Sequence, residues 1–401
     1  MPRHDVRYGG VCPAVERTRW LRHQNAEHRP ARVIRLLERP NRGVGRHQTG
    51  PDHADTGCHA VVLTLVVLLL GTACAGVGSP VPGTPAHHRE RGFANTNPEF
   101  VFPSGWTVNK FRARRLWAAL VGSNTVTFPR VANDGRALRE NSAEPTVTWV
   151  GHATLLIQVD GVNVLTDPHW SERASPVSFA GPRRLVAPGL AFEDLPPIHL
   201  VLISHDHYDQ LDAPTVRRLA QTHRPLFLVP LGLKAWFAQL GISEVEELDW
   251  WQSQHVQGLT LICLPAQHWS SRTPWDRNRR LWASWALLGR DRRVFFSGDT
   301  GYYEGFKEIG VRLGPFDLAA VAIGAYTPAE MMKMAHVTPE EALQLFLDVR
   351  GQRFLAIHWG TFDLAEEPVD EPPRRLGAEA QRLGLGPDRM WILQHGETRR
   401  W

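Results

Sequence analysis

The chain has 401 residues, of which 43% are hydrophobic and 21% charged, with a net charge of +4. That balance excludes a chain disordered throughout, and the length suffices to bury a large core. The cationic excess carries no nucleic-acid signature: no lysine precedes Lys110 and no basic stripe interleaved with aromatics follows, so nucleic acid is not an expected partner.

Residues 1–58 combine many Arg and His with scattered Pro and Gly and have no sustained period, which predicts a disordered extension, or an over-extended start of translation. Ala60 to Leu70 is apolar apart from Thr64, too short to span a bilayer but suited to the hydrophobic part of an export signal. The following Gly71-Thr72-Ala73-Cys74 resembles a bacterial lipoprotein cleavage box, so 59–74 is read as a signal segment with Cys74 as the lipidated residue. Export and attachment to the membrane of a bacterial cell envelope follow as the expected localisation, with a cytoplasmic protein peripheral to a membrane as the alternative. Residues 75–98, rich in Pro and Gly, are expected to be a flexible tether, and 99–401 one folded domain. Cys12, Cys58 and Cys74 lie outside that domain, leaving Cys263 on an apolar run as a buried free thiol and excluding a disulfide framework.

Within the domain, Thr146 to Val159 and Val162 to Leu165 flank Asp160-Gly161, a two-residue hairpin signal that predicts a β-hairpin. The run Leu200-Val201-Leu202-Ile203 leads into Ser204-His205-Asp206-His207-Tyr208-Asp209-Gln210, where two imidazoles and a carboxylate sit at two-residue spacing on one turn. Such a turn suits a borderline cation such as zinc. Helices are predicted over 214–221, 233–240, 303–313, 339–349 and 374–383, with Thr338 capping the fourth and Glu341 three places on. Three further apolar runs, 259–264, 294–296 and 354–357, each precede a turn carrying a metal-ligand type: His268, Asp299 and His358. Short continuous apolar runs read as strands covered on both faces, and ligands delivered at their carboxyl ends read as one site. Two face-to-face sheets with helices outside are the expected α/β architecture.

The ordered series from His205 through His268 and Asp299 to His358 resembles the metallo-β-lactamase superfamily. Trp149-Val150-Gly151-His152-Ala153-Thr154, Leu165-Thr166-Asp167-Pro168, Leu248-Asp249-Trp250-Trp251, Gln267-His268-Trp269 and Ile357-His358-Trp359-Gly360 are, more narrowly, similar to the N-acyl-phosphatidylethanolamine-hydrolysing phospholipase D family. The resemblance spans roughly residues 100 to 401 and implies an αββα sandwich. It also implies one Zn2+ held by His205, His207, His268 and Asp299, and a second by Asp209, Asp299 and His358 with Asp299 bridging. Where the family places a third His, this chain has Gln210, a weaker zinc ligand. Gln210 could bind through its carbonyl oxygen, give way to water, or leave a mostly mononuclear site; reduced affinity at the second site is the favoured expectation.

The activity so implied is attack of metal-activated water on phosphorus, oriented by Asp209, releasing phosphatidic acid and an N-acylethanolamine. By the same resemblance Tyr208, Arg272 and His336 are expected to contact substrate. Ala213 stands where animal members have Tyr, which argues against an identical head-group pocket. Fifteen Trp residues fit both core packing and a membrane interface. The expected partners are a phospholipid or other phosphodiester, a membrane surface and, as an open matter, a second copy in a homodimer. Two other readings stand beside the lipase: a lactonase or different phosphodiesterase on the same metal frame, and a lipid-anchored binding protein without turnover.

Overall fold

The computed structural model describes residues 77–121, 126–142 and 144–401. The expected extension, signal segment and Cys74 therefore lie outside the described residues. A short hairpin, β1 (His88–Arg89) and β2 (Gly92–Phe93), precedes helix α1 (Gly105–Val121) and the short α2 (Arg136–Glu140). The first large sheet contains β3 (Thr146–Gly151), β4 (Thr154–Val159), β5 (Val162–Thr166), β6 (Leu200–Leu202), β7 (Leu226–Pro230) and β8 (Val245–Leu248), with α3 (Ala213–Thr222) and α4 (Lys234–Gln239) between its later strands. The second contains β9 (Ser253–Val256), β10 (Leu259–Leu264), β11 (Ser284–Leu288), β12 (Arg293–Phe296), β13 (Phe316–Ala322), β14 (Gly351–Ile357) and β15 (Met390–Trp391). Its helices are α5 (Gly305–Leu313), α6 (Ala329–Met332), α7 (Pro339–Asp348) and α8 (Glu371–Arg382), and β16 (Thr398–Arg400) returns to the edge of the first sheet.

Each sheet has seven strands, ordered β16-β3-β4-β5-β6-β7-β8 and β15-β14-β13-β12-β11-β10-β9. Residues alternate between the two sides of a strand, and both sides are apolar here. Leu155, Ile157, Leu200, Leu202 and Leu228 enter the same buried cluster as Leu261, Cys263, Trp285, Leu287 and Phe296 of the opposite sheet. Leu156, Val201 and Phe227 turn outward against Val216 and Leu219 of α3 and Phe237 of α4. On the other side Phe306, Ile309, Leu343 and Phe346 of α5 and α7 complete the covering. The result is the αββα sandwich, and Cys263 is free and buried as expected.

Three differences from the sequence reading bear on the site. The run 146–159 is two strands, because Gly151 (φ 140°) and His152 (φ 55°) turn the chain between β3 and β4. Residues 77–98, expected as a tether, are laid on the domain: Phe93 is buried in the main core, the Asn95 amide donates to the His268 carbonyl at 2.8 Å, and Asn97 donates to Gln267 Oε1 at 2.6 Å. Helix α1, whose exposed face carries Trp106 and Trp117 among basic residues, has no clean apolar stripe and is unassigned in the sequence reading. The helix beginning at Thr338 carries the expected reciprocal cap, Glu341 N donating to Thr338 Oγ1 and Thr338 N to Glu341 Oε2.

Candidate metal centre

Five chain segments deliver donors to one rim. His152 follows β3, the turn 205–210 follows β6, His268 follows β10, Asp299 follows β12 and His358 follows β14. The structure brings to this rim every residue expected as a ligand from the sequence and places His152 beside them.

The imidazoles of the first half arrive with their lone pairs aimed. His268 Nδ1 lies 2.8 Å from the Ala335 carbonyl, which can only accept, so Nδ1 carries the proton and Nε2 faces the centre as a lone pair. His205 Nδ1 lies 2.9 Å from Ser204 Oγ, which itself donates to Asp167 Oδ2 at 2.5 Å; the same logic leaves His205 Nε2 unprotonated. Those two nitrogens stand 3.3 and 2.8 Å from His207 Nδ1. A single proton on His207 could serve one of them; a cation serves all three. Donors 2.0–2.1 Å from a tetrahedral ion lie about 3.3 Å apart, close to this spacing. The residues present therefore fit a bound metal. His207 Nε2, buried and without a hydrogen-bond partner, turns away from it.

Asp299 joins the two halves. Its Oδ2 is 3.8 Å from His205 Nε2 and 4.0 Å from His268 Nε2 on one side, and 3.1 Å from His358 Nε2 on the other. Asp209 Oδ2 lies 2.9 Å from His152 Nε2 and 3.3 Å from His358 Nε2. Gln210, at the position in doubt, places Nε2 3.0 Å from Asp299 Oδ1.

Electrostatics favour cations here. Burial lowers His205 to about 3 and His152 and His336 to about 4, which keeps them neutral, the form that binds metals. Burial opposes ionisation of Asp209 and Asp299, yet the surrounding imidazoles hold both carboxyls well below the usual range. His358 goes the other way: against burial, Asp299 and Asp209 raise it to about 10, a measure of how strongly that point attracts positive charge.

The remaining expected site residues divide. His336 is 5.1 Å from His268 and 5.6 Å from His358, ring centre to ring centre, and stands in the centre with them. Tyr208 and Arg272, expected at the substrate, have their polar atoms engaged with the turn itself. Tyr208 donates to the Arg272 carbonyl at 2.9 Å, and Arg272 Nη1 donates to the carbonyls of Asp206 and Leu211 at 2.7 and 2.9 Å. Sequence reasoning also misses the supports of the turn. Asp206, between the two imidazoles, is no ligand; it is fully buried and bound by Arg280 at 2.8 Å and by the Ser271 amide at 2.8 Å.

The family described as "Beta-lactamase superfamily domain" matches residues 162–359. The chain is 45% identical over 238 residues to the N-acyl-phosphatidylethanolamine-hydrolyzing phospholipase D 1 of Caenorhabditis elegans, covering 57% of this chain and 67% of that one. This chain belongs to the N-acyl-phosphatidylethanolamine-hydrolysing phospholipase D family of the metallo-β-lactamase superfamily. It is also 40% identical over 320 residues to the protein of Mycobacterium tuberculosis named "Uncharacterized protein Rv0906", covering 78% and 84% of the two chains. The fold recurs in the isothiocyanate hydrolase from Delia radicum gut bacteria, with a TM-score of 0.51 at 22% identity over 64% of this chain and 99% of that one. The family member described here is a metal-dependent hydrolase, with His and Asp clusters able to hold the metal.

Proposed function

We propose that the protein is a zinc phosphodiesterase of phospholipase D type, which hydrolyses N-acyl phosphatidylethanolamine or a related glycerophospholipid to phosphatidic acid and the free amide alcohol. The observation that carries this reading is the 45% identity to the C. elegans phospholipase, joined to an unbroken first ligand set. Imidazole and carboxylate donors without thiolates suit zinc. His205, His207, His268 and Asp299 would hold one ion and Asp209, Asp299 and His358 contribute to a second. Bound there, such ions lower the pKa of water and neutralise charge on a phosphodiester.

The chain's own residues supply position and dryness. Asp209, fixed between His152 and His358, orients the attacking water in line with phosphorus. His336, kept neutral by burial, stands beside His268 and His358, where it would meet a phosphoryl oxygen. Arg272 and Tyr208 hold the turn that presents the ligands, so that the donors do not reorganise when charge develops. A membrane surface is part of the same proposal: Trp106 on α1 is 72% exposed, Phe179 82% and Trp275 67%, and α1 carries Lys110, Arg112, Arg114 and Arg115. Exposed aromatics beside basic residues suit a lipid interface.

The test is incubation of zinc-loaded protein with N-acyl phosphatidylethanolamine in mixed micelles, alongside a lactone and a soluble phosphodiester, followed by lipid analysis. Phosphatidic acid together with N-acylethanolamine is the expected outcome. Turnover of the lactone alone would replace the phosphodiesterase reading with another hydrolase.

A further inference from the structure

We propose that His152 is a ligand of the second metal and replaces the imidazole that Gln210 does not supply. The proposal rests on reading the centre as dinuclear. Gln210 approaches that centre with the wrong end for a ligand: its Nε2 donates to Asp299 Oδ1 at 3.0 Å and to Asp209 Oδ2 at 3.3 Å, two carboxylate oxygens that can only accept, and lies 3.3 Å from His152 Nε2. An amide oxygen turned inward would meet two carboxylates, so the hydrogen-bond network assigns the amide nitrogen to the inside. Gln210 Oε1 lies on the other side, buried and without a partner. The side chain is a donor that steadies the Asp299 carboxylate.

His152 occupies the ground that a ligand would. Its Nε2 lies 2.9 Å from Asp209 Oδ2, and His152, Asp209 and His358 form a set whose donor atoms all fall within 4.8 Å of one another. With Asp299 Oδ2, which is 3.1 Å from His358 Nε2, the second half offers two imidazoles and two carboxylates. The first offers three and one. His152 and His358 come from opposite sheets, their rings 4.1 Å apart, and both sit at positive φ, 55° and 61°. A left-handed non-glycine backbone persists only where its surroundings impose it. They do so here: the His152 amide donates to Thr361 Oγ1 at 2.7 Å, and its carbonyl accepts from His358 N at 3.0 Å and from Trp149 Nε1 at 2.9 Å. The turn that aims His152 is thus tied to the strand end that aims His358.

The competing role is a hydrogen-bonding partner that merely orients Asp209. Metal stoichiometry separates the two. On the full chain, zinc is measured by elemental analysis after dialysis, and the visible spectrum of the cobalt(II)-loaded protein is recorded. The wild type is expected to hold two equivalents. His152→Ala, and His152→Asn as the variant better suited to a left-handed backbone, should hold one, with the second dissociation constant raised at least ~100-fold and the cobalt spectrum reduced to that of one site. Gln210→Ala should keep two, and His152→Ala combined with Gln210→His should regain the second. Retention of two equivalents and an unchanged cobalt spectrum in a His152 variant that melts like wild type would overturn the inference, as would a drop to one in Gln210→Ala. A wild type holding one equivalent would overturn it while leaving the hydrolase intact, and a wild type holding none would remove both.

Discussion

The two halves of the centre are built to different standards. In the first, two of the three imidazoles, those of His205 and His268, have an outer partner on the nitrogen facing away from the centre, Ser204 Oγ and the Ala335 carbonyl, so their tautomer and ring angle are set before any ion arrives, and only His207 Nε2 lacks one. In the second, His152 Nδ1 and His358 Nδ1 are buried without such partners, and both residues depend on a left-handed backbone for their aim. Outer partners are worth about 10–100-fold in metal affinity. One side is therefore preorganised and the other would be completed by the ion proposed for it, which predicts sequential rather than equal filling.

The largest test removes what the halves share. Asp299→Ala takes a carboxylate from both, so both equivalents of metal should be lost and hydrolysis should fall by about three orders of magnitude, the several kcal/mol that metal activation supplies at 1.36 kcal/mol per decade. Elemental analysis and single-turnover hydrolysis check it. Loss of one equivalent only would show that the halves do not share this residue.

Next in size is a support that only the first turn has. Arg280 pairs with the fully buried Asp206 between the two imidazoles. Breaking a buried pair from one side typically costs about 3–5 kcal/mol, because the remaining charge is left without its counterion. Arg280→Met should lower the free energy of unfolding by about that amount in a denaturant titration of the metal-free chain. A change below about 1 kcal/mol would mean that the turn holds its shape by other contacts, among them those of Arg272.

How far the chain itself announces this asymmetry is instructive. The first half is legible because its signals are local: a continuous apolar run such as 259–264 marks a strand covered on both faces, and the residue after it, His268, stands at the rim where such strands end. Asp299 and His358 are found in the same way. His152 is not, since Thr146 to Val159 alternates well enough to pass for one strand. Its break depends on Thr361 and His358, more than 200 residues away. The supports Asp167 and Arg280 are invisible for the same reason, as ordinary loop residues until the fold places them against Ser204 and Asp206. Residues 77–98 have the composition of a linker, and only the burial of Phe93 and the amides of Asn95 and Asn97 show that they belong to the body.

Ser204→Ala sharpens the comparison from inside the first half. It removes the hydroxyl between Asp167 and His205 Nδ1 while leaving every ligand in place. Affinity for the first equivalent should weaken by about 10–100-fold in a zinc competition titration, and the second should change far less. Equal weakening of both would show that the halves fill as one unit and would break the contrast drawn between them.

The smallest expected effect calibrates the others. Thr338 caps α7 with a reciprocal pair of bonds to Glu341, two residues past His336 in sequence yet not part of the metal centre. Thr338→Ala leaves the Glu341 amide without its acceptor, which typically costs about 1 kcal/mol of stability. Thermal unfolding should register that loss, while metal stoichiometry and the cobalt spectrum stay as in wild type. The reason is mechanical: the first half takes its geometry from strand ends and their outer partners, and fraying one turn of an outer helix relaxes none of those distances. If metal affinity fell with stability in this variant, the rigidity credited to Ser204 and Ala335 would belong to the whole outer layer instead, since Ala335 lies on the short segment between α6 and α7 and its carbonyl holds His268.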